Sequence, residues 1–376
     1  MSRPIVHLIP GLKSGGAENF LLKLLSTSEA LRSRSAIVSV RPQVDLLERF
    51  EALGVPVTVL PISAGLGTVA SLLRIAQALR QPEVRVIQSW LYLGDALSAL
   101  GRPFGRGARR KIFWNIRSTH LGRESRATRQ LAQRLNPVLS RFVPDAIICC
   151  SEEAASVHAG AGYRSDILRV ITNGVDCASA ATPDQRARAR ERLGIAPDDC
   201  VIGMVSRVSP YKDHDTLFAA VSALRGRHPR LRLILCGNGT EAANEALSAA
   251  LSRSGIEDIT LRLGLVGDML PVYAALDLHV LSSRTEGFPN VVIEASMGGA
   301  ASFATDVGAV RGIIRDPFFI LPTGDVHEMT RRLDQYLSLP APAQEQMRSS
   351  AREDIRARFD IDRVAGQYLE AYAPAL

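Results

Sequence analysis

One strand–helix–strand unit, residues 200–236, reads CVIGMVSRVSPYKDHDTLFAAVSALRGRHPRLRLILC and decides the fold. Its apolar runs at 200–206 and 231–236 flank a helical pattern at 213–225. Short runs rich in Val, Ile and Leu that alternate with longer helical patterns are typical of parallel α/β units. Because the runs are apolar throughout rather than at every second position, we expect a sheet that is covered on both faces.

The same alternation continues along the whole chain. A length of 376 residues exceeds a single typical core, so two domains are expected. The Asn173-Gly174 turn signal and the Ala/Ser stretch that ends at Pro183 predict a boundary near residue 180. We therefore predict an α/β protein with two doubly wound, Rossmann-like domains, 1–180 and 181–376, whose ligand crevices face a central cleft. The last helix is left open to either domain. Further predicted helices are 16–30, 241–253 and 289–299, and further predicted strands are 5–9, 35–40, 57–60, 84–88, 111–116, 145–150, 168–172, 259–263, 278–282 and 301–305.

The composition indicates an ordinary globular protein, with 46% hydrophobic and 22% charged residues. No run reaches the ~20 uninterrupted apolar residues that span a bilayer, and Pro10 and Gly11 interrupt the N-terminal apolar run. We therefore expect a cytoplasmic protein. Its five cysteines contain no C-x-x-C pair and mostly lie in or beside apolar runs, so buried reduced thiols are expected.

The net charge of +7 comes mostly from arginine and is concentrated in one segment. Between Arg102 and Arg141 the chain has eleven Arg or Lys residues and a single acid, Glu124. Such asymmetry attracts an anionic partner, and no nucleic-acid partner is expected. Residues 122–141 also present apolar side chains, which predicts peripheral contact with an anionic membrane. The alternative is a helix packed on its own sheet with a solvated arginine face; Pro137 is expected to bend or end it. The residues concerned are Arg123, Arg126, Arg129, Arg134, Arg141, Leu131, Leu135, Val138 and Leu139.

Two glycine-rich turns follow predicted strands. Gly15-Gly16 stands just before the helix at 16–30, where backbone N–H groups can approach an anion closely. Gly237 lies in LCGNGTE, residues 235–241, which resembles a Rossmann G-x-G but lacks the third glycine and the acidic residue after the next strand. We interpret the second turn as the floor of a nucleotide pocket and not as an NAD site.

Two cations flank a third strand-end loop. Arg207 and Lys212 follow the strand at 200–206, and Asp213 is placed to cap the next helix. Paired cations on such a loop suit a diphosphate, because they neutralise the charge of a leaving nucleotide. The alternative is two solvated loop cations.

Two glutamates lie eight positions apart in RTEGFPNVVIEASMGG, residues 284–299. Glu286 lies on the loop at the carboxyl edge of the sheet, and Pro289 suits the first turn of a helix. The amides of Asn290 and Val291 would then point into the cleft. Glu294 lies one turn further among apolar residues, where a carboxylate requires donors such as vicinal hydroxyls. One glutamate is expected to reach a sugar and the other a ribose.

Six segments together resemble the family-4 glycosyltransferases, which are retaining enzymes of the GT-B architecture. They run in order through nearly the whole chain: GGAE (15–18), ITNGVD (171–176), SRVSPYKDHDTL (206–217), LCGNG (235–239), EGFPNVVIEA (286–295) and ATDVGAVRGII (304–314). The resemblance implies that Glu286 contacts hydroxyls of the donor sugar and Glu294 the ribose. It further implies that the diphosphate is bound by Arg207 and Lys212, with help from Gly16 and the amides of Asn290 and Val291.

The resemblance also implies a front-face reaction in which the departing phosphate helps to deprotonate the acceptor, without a protein nucleophile. D-x-D triplets occur at 213–215 and 360–362, but each opens a predicted helix, where capping explains it. No metal and no other cofactor is therefore expected. The family often has a histidine at the carboxyl end of the fifth N-terminal-domain strand. Here Arg117 occupies that place, with His120 three residues later, so both are acceptor-side candidates.

The leading hypothesis is a glycosyltransferase that moves a hexose or N-acetylhexosamine, with retention, from a nucleotide-diphosphate sugar to a saccharide acceptor. The segments QSWLYLGDALSAL and WNIRSTH resemble relatives in bacterial surface-polysaccharide assembly, such as lipopolysaccharide or capsule, which implies a lipid-linked acceptor. Two alternatives stay open. One is a sugar-nucleotide epimerase of the same architecture, and the other is a non-catalytic nucleotide-sugar-binding protein.

Overall fold

The computed structural model describes residues 3–13, 15–63, 65, 67–102, 110–119, 127–177 and 180–376. The chain divides into two compact units. The first comprises Met1–Gly174 together with Ile361–Leu376, and the second comprises Val175–Asp360. The change of unit falls shortly before the boundary near residue 180 that the sequence predicts, and the end of the chain belongs to the first unit.

The first unit is built on a seven-stranded parallel sheet in the order β3-β2-β1-β4-β5-β6-β7. The five inner strands of this sheet are almost wholly buried, as continuous apolar runs require, whereas the two edge strands β3 and β7 are partly exposed. The strands are β1 Ile5–Ile9, β2 Ser35–Ser39, β3 Val57–Val59, β4 Val86–Ser89, β5 Lys111–Ile116, β6 Ala146–Cys149 and β7 Leu168–Val170. The helices are α1 Gly16–Thr27, α2 Glu29–Arg32, α3 Leu47–Ala52, α4 Gly67–Leu79, α5 Leu91–Ser98, α6 Ala127–Leu139 and α7 Glu152–Gly160.

The second unit repeats the design with six parallel strands in the order β10-β9-β8-β11-β12-β13. Its strands are β8 Cys200–Val205, β9 Leu231–Cys236, β10 Thr260–Gly264, β11 Leu278–Leu281, β12 Ala301–Thr305 and β13 Ile320–Leu321. Its helices are α8 Pro183–Arg192, α9 His214–Leu224, α10 Glu245–Arg253, α11 Leu270–Ala275, α12 Asn290–Gly298, α13 Val310–Ile313, α14 Val326–Leu337 and α15 Ala341–Phe359. The predicted fold class, with two doubly wound parallel sheets, is confirmed.

The last helix, α16 Ile361–Tyr372, packs into the core of the first unit. Two of its tyrosines reach polar groups of the sheet. The Tyr372 hydroxyl donates to Gln88 Oε1 at 2.6 Å, and Asn115 Nδ2 donates to the Tyr368 hydroxyl at 3.0 Å. Because both tyrosines are fully buried, these bonds fix the register of the helix on the sheet.

Two further expectations concern burial and membrane spans. All five cysteines are free thiols, and all but the partly exposed Cys200 are buried, as predicted. Within the part of the chain that the structure describes, no helix combines the length and the apolar content that crossing a bilayer demands.

Candidate functional site

The carboxyl edge of the second sheet brings the predicted donor residues Lys212 and Glu286 together. Lys212 lies on the loop after β8 and Glu286 on the loop after β11, and β8 and β11 are parallel neighbours. Lys212 Nζ is 2.5 Å from Glu286 Oε1, and the two side chains are only 19% and 12% exposed. An ion pair shielded to this degree is screened much less by water than a surface pair.

Two serines that sequence reasoning missed tie these loops together. Ser283 Oγ donates to Glu286 Oε1 at 2.6 Å. Ser282 Oγ is shared between the carbonyl oxygens of Lys212 and Asp213, at 3.0 and 2.8 Å. Both serines are fully buried. The backbone that carries the cation is therefore bonded directly to the end of the strand that precedes the carboxylate.

Asp213 has a different role from the one predicted. It precedes α9, but its side chain makes no capping bond to the helix backbone, and its backbone is left-handed with φ 50°. Its carboxylate accepts from Thr216 Oγ1 at 2.9 Å and pairs with Arg284 at 2.9 Å. The Arg284 N–H in turn donates to the Tyr211 carbonyl at 2.7 Å. Asp213 therefore joins the two donor loops instead of capping the start of α9 with its side chain.

Arg207 and Gly237 lie at the same edge of the sheet. Arg207 is exposed and lies two residues after the end of β8. The N–H of the next residue, Val208, donates to the Asn238 carbonyl at 2.8 Å. Gly237 has φ 134°, and a Cβ there would lie 2.3 Å from the Ser206 carbonyl oxygen. Only glycine fits this position, because the two strand-end loops touch backbone to backbone.

Glu294 lies on α12, which starts directly after Pro289. Asn290 and Val291 form the first turn of the helix, as predicted from the sequence. The Tyr273 hydroxyl donates to Glu294 Oε2 at 2.9 Å, a contact that sequence reasoning missed. Glu294 itself is partly exposed. The two glutamates are therefore held by different partners, Glu286 by Lys212 and Ser283 and Glu294 by Tyr273.

A tight turn after β12 supports the Glu286 loop from behind. Gly308 has φ 54°, and a Cβ there would lie 2.3 Å from the Glu286 carbonyl oxygen. The Ala309 N–H donates to the Gly287 carbonyl at 3.0 Å, and Thr305 Oγ1 donates to the Ser283 carbonyl at 2.5 Å. Two hydrogen bonds and the close approach of the Gly308 backbone thus fix the chain on both sides of Glu286.

In the first unit, Gly16 begins α1 and is exposed. A Cβ at Gly16 would meet nothing within 4 Å, so packing in the first unit does not require glycine there. At Gly15, in contrast, a Cβ would lie 2.6 Å from Glu18 Oε2. Burial raises the pKa of Glu18, which lies in the first turn of the helix.

Arg117 extends from the carboxyl end of β5 and is stacked on aromatic rings. Its guanidinium carbon lies 4.0 Å from the centroid of the Phe20 ring and 5.6 Å from that of Trp90. Such stacking fixes a cation on an apolar face. The other acceptor-side candidate, His120, lies outside the described residues, as do Arg123 and Arg126 of the basic segment.

Buried polar groups surround this part of the first sheet, and sequence reasoning missed them. Trp90 Nε1 donates to His7 Nδ1 at 3.2 Å, which leaves the Nε2–H to donate to Ser35 Oγ at 3.0 Å. Burial lowers the pKa of His7 to about 3. Asp95 is also fully buried, and burial raises its pKa to about 8. An acid inside the apolar segment QSWLYLGDALSAL is a signal that could have identified Asp95.

Two family models match the chain. The model described as Glycosyltransferase Family 4 matches residues 14–179, and Glycosyl transferases group 1 matches residues 185–354. A D-inositol 3-phosphate glycosyltransferase of Saccharomonospora viridis is 30% identical over 223 residues, which are 56% of this chain and 51% of the relative. The chain therefore spans about half the length of the curated relatives it matches.

Solved structures share the fold over the whole chain. HepE of Anabaena in complex with UDP has a TM-score of 0.87 at 23% identity, over 98% of this chain and 99% of HepE. The HepE complex with UDP-glucose has a TM-score of 0.85 at the same identity and coverage. Each half of the chain matches a glycosyltransferase model, and both sheets recur in these neighbours. The chain belongs to the family-4 glycosyltransferases of the GT-B architecture.

Proposed function

We propose that the protein is a retaining glycosyltransferase that transfers a hexose or N-acetylhexosamine from a nucleotide-diphosphate sugar to a saccharide acceptor. The observation that carries the proposal is the shielded contact of Lys212 with Glu286, at 2.5 Å, on the carboxyl edge of the second sheet. Crevices at this edge are where doubly wound sheets bind nucleotides. A cation for a diphosphate lies directly beside a carboxylate for sugar hydroxyls.

Lys212 and Arg207 are assigned to the diphosphate. In the reaction the bond between the sugar C1 and the phosphate oxygen breaks, and negative charge develops on the leaving nucleoside diphosphate. Fixed cations stabilise this charge, and the N–H groups of Asn290 and Val291 at the start of α12 add the positive end of a helix. These groups supply what a metal ion supplies elsewhere, so we propose that the reaction needs no metal.

Glu286 is assigned to hydroxyls of the transferred sugar and Glu294 to the ribose. Ser283 and Lys212 hold the Glu286 carboxylate, so its orientation does not depend on the substrate. The acceptor oxygen forms the new bond to C1 on the face that the phosphate leaves. The acceptor proton passes to the departing phosphate oxygen, and the configuration at C1 is retained.

The nucleotide sugar can be identified by a screen of donors. HepE has been solved with UDP and UDP-glucose, so UDP-glucose is the first donor to test, followed by other UDP-, GDP- and ADP-sugars. Nucleotide release is measured with and without saccharide acceptors, and the product is analysed by mass spectrometry. Acceptor-dependent release and a heavier acceptor support transfer. An isomerised donor without acceptor would indicate an epimerase, and donor binding without turnover would indicate a binding protein.

The acceptor can be identified by competition between two candidate classes. We propose a lipid-linked saccharide of surface-polysaccharide assembly as the acceptor. The relative from Saccharomonospora viridis is named a D-inositol 3-phosphate glycosyltransferase, which favours inositol phosphate as the second candidate. Competition between the two acceptors at equal concentration, with products separated by mass, decides between them. Arg117 is the acceptor-side residue to replace, with loss of acceptor affinity expected and donor affinity unchanged.

A surface of the first unit supports contact with a membrane. The outer face of α6 and the residues after it expose four apolar side chains, whereas the polar Asn136 is buried and donates to the Tyr92 carbonyl at 2.9 Å. The helix thus exposes apolar side chains on the surface of the first unit, beside the exposed Arg134 and Arg141. We propose that this face, called the α6 face below, lies in an anionic interface on the cytoplasmic side of a membrane. Its apolar members are Leu131, Leu135, Val138 and Phe142, which are 58%, 46%, 59% and 75% exposed.

A further inference from the structure

The contact between Tyr273 and Glu294 has no assigned role in the proposed transfer reaction. Tyr273 lies on the short helix α11 and is 3% exposed. Its hydroxyl donates to Glu294 Oε2 at 2.9 Å across the gap between α11 and α12. A buried hydroxyl directed at a carboxylate gives a charge-assisted hydrogen bond, which is stronger than a bond between neutral groups.

The close approach of these two helices depends on Gly298. A Cβ at Gly298 would lie 2.4 Å from Tyr273 Cβ and 3.2 Å from the Tyr273 carbonyl carbon, so no larger residue fits without moving α11. Gly298 follows Glu294 by four positions and therefore lies on the same face of α12. The glycine lets the Tyr273 backbone approach, and the phenol then reaches back one turn to the carboxylate.

We infer that Tyr273 is a positioning residue that orients the Glu294 carboxylate for the ribose hydroxyls of the bound nucleotide. The inference rests on the proposed function, because it takes Glu294 as the ribose-binding group. An ionised carboxylate has about four lone-pair sites, so one bond from Tyr273 is compatible with bonds from two ribose hydroxyls. The Tyr273 bond selects the carboxylate rotamer in which those sites face the ribose.

The packing and the protonation state of Tyr273 both preserve its hydrogen bond to Glu294. Its ring lies edge to face against the buried His279, with 6.4 Å between the ring centroids. Burial and the negative charge of Glu294 raise the pKa of Tyr273 well above its ordinary value of 10. The phenol therefore keeps its proton and is a donor at neutral pH, and its ring is buried in close-packed surroundings.

The test replaces Tyr273 by Phe and measures nucleotide affinity by calorimetry. The ligands are whichever of UDP, GDP and ADP binds wild type most tightly, and its 2′,3′-dideoxy counterpart. We expect Tyr273→Phe to weaken the ribonucleotide about tenfold, which corresponds to ~1.4 kcal/mol, and to leave the dideoxynucleotide within twofold. Glu294→Gln should give the same selective loss, and Tyr273→Phe should add little to it because both changes act on one contact.

Tyr336→Phe is the matched control. Tyr336 is also fully buried in the second unit, and its hydroxyl bonds to the Gln344 carbonyl at 3.4 Å. This variant should bind both nucleotides as wild type does. If Tyr273→Phe weakened both nucleotides equally, or neither, the positioning role would be wrong while the proposed function stood. If Glu294→Gln weakened the ribonucleotide and the dideoxynucleotide equally, the proposed site itself would be wrong. The same conclusion would follow if wild type bound none of UDP, GDP and ADP.

Discussion

Lys212 Nζ lies 2.5 Å from Glu286 Oε1 although the two residues are 74 positions apart in the chain. Ser283 Oγ bonds to the same carboxylate oxygen at 2.6 Å. The cation assigned to the diphosphate and the carboxylate assigned to the sugar are thus one electrostatic unit. Removal of either partner alters the environment of the other, and the effects of the two substitutions should therefore not add.

Lys212→Ala should lower kcat by roughly 10²–10³, the scale for losing one preorganised donor at developing charge. Glu286→Gln should also lower kcat, because it removes the carboxylate assigned to hydroxyls of the transferred sugar. The double variant should lose less than the product of the two single effects, because the groups are in contact. The measurement is steady-state kinetics of nucleotide release. Arg225→Ala, which removes an exposed ion pair with Asp258, is the control and should leave kcat unchanged.

Multiplicative losses in the double variant would mean that Lys212 and Glu286 act independently. Activity of Lys212→Ala within threefold of wild type would mean that the diphosphate is held elsewhere. Arg207→Ala tests the second cation in the same assay, and a similar loss is expected.

Gly308→Ala should lower transfer activity as well as stability, because a side chain at this position would displace the backbone of the Glu286 loop. The matched control is Gly324→Ala, because Gly324 has a similar φ of 71° but no atom within 4 Å of its Cβ position. Both variants should lose about 1–2 kcal/mol of stability from the left-handed backbone. Only Gly308→Ala should lose transfer activity, since its methyl group would displace the Glu286 carbonyl. Equal activity of the two variants, compared at equal folded fractions, would contradict the role of the turn.

Apolar runs predicted the fold well because buried parallel strands need continuous hydrophobicity. All of the strands that the sequence predicts are present, with ends shifted by up to two residues. The strand that was missed, Ile320–Leu321, has two residues and gives no periodic signal. The predicted helix 16–30 is split at Ser28, whose side chain caps the second piece by accepting from the Leu31 N–H. That break depends on one local hydrogen bond, which cannot be predicted from the pattern of apolar residues.

The partners of the site residues were harder to predict than the residues themselves. Glycine and charge at strand ends identified the loops, because such loops follow from the sheet topology. The bond from Tyr273 to Glu294 depends on how closely α11 and α12 pack, and thus on Gly298, 25 positions after the tyrosine in sequence. Side chains that meet only through tertiary packing leave no mark in a single sequence.

Asp95→Asn should stabilise the first unit more at pH 8 than at pH 5. Burial raises the pKa of Asp95 to about 8, from an ordinary value of 3.8. Between these values the unfolded chain has lost the proton and the folded chain keeps it, so stability falls as pH rises, by about 1.4 kcal/mol per unit. Asn carries no charge at either pH, so its advantage over wild type should grow with pH.

The measurement for Asp95→Asn is urea unfolding followed by tryptophan fluorescence. Trp90 and Trp114 are the two tryptophans of the chain, and both are fully buried in the first unit. The signal therefore reports the unit that contains Asp95. A difference between variant and wild type that stays constant from pH 5 to pH 8 would show that Asp95 is ionised in the folded state.

Turnover should persist in excess EDTA. The proposed site uses Lys212, Arg207 and the first turn of α12 in place of a metal ion. Asp213, the first acid of the D-x-D triplet at 213–215, is bonded to Thr216 and Arg284. Among the described residues, no three His, Cys, Asp or Glu side chains are grouped as metal ligands. Complete loss of activity in EDTA that Mg²⁺ or Mn²⁺ restores would overturn this prediction.

Leu135→Ser with Phe142→Ser should weaken binding of the protein to anionic liposomes. The two side chains belong to the α6 face and are 46% and 75% exposed, so their removal costs little folding stability. The control is Val69→Ser with Leu73→Ser on α4, which are 65% and 66% exposed but lie outside the basic segment. Co-sedimentation across a salt series measures the binding.

The outcome depends on both components of the α6 face. Apolar side chains enter the interface, and each nearby cation contributes about 1 kcal/mol of attraction to anionic lipid, which salt weakens. Arg134→Ser with Arg141→Ser should therefore reduce binding most at low salt, whereas the apolar pair should reduce it at every salt concentration. Equal effects of the α4 and α6 pairs would indicate non-specific adsorption. Binding that depends neither on anionic lipid nor on these residues would mean that the α6 face does not contact membranes.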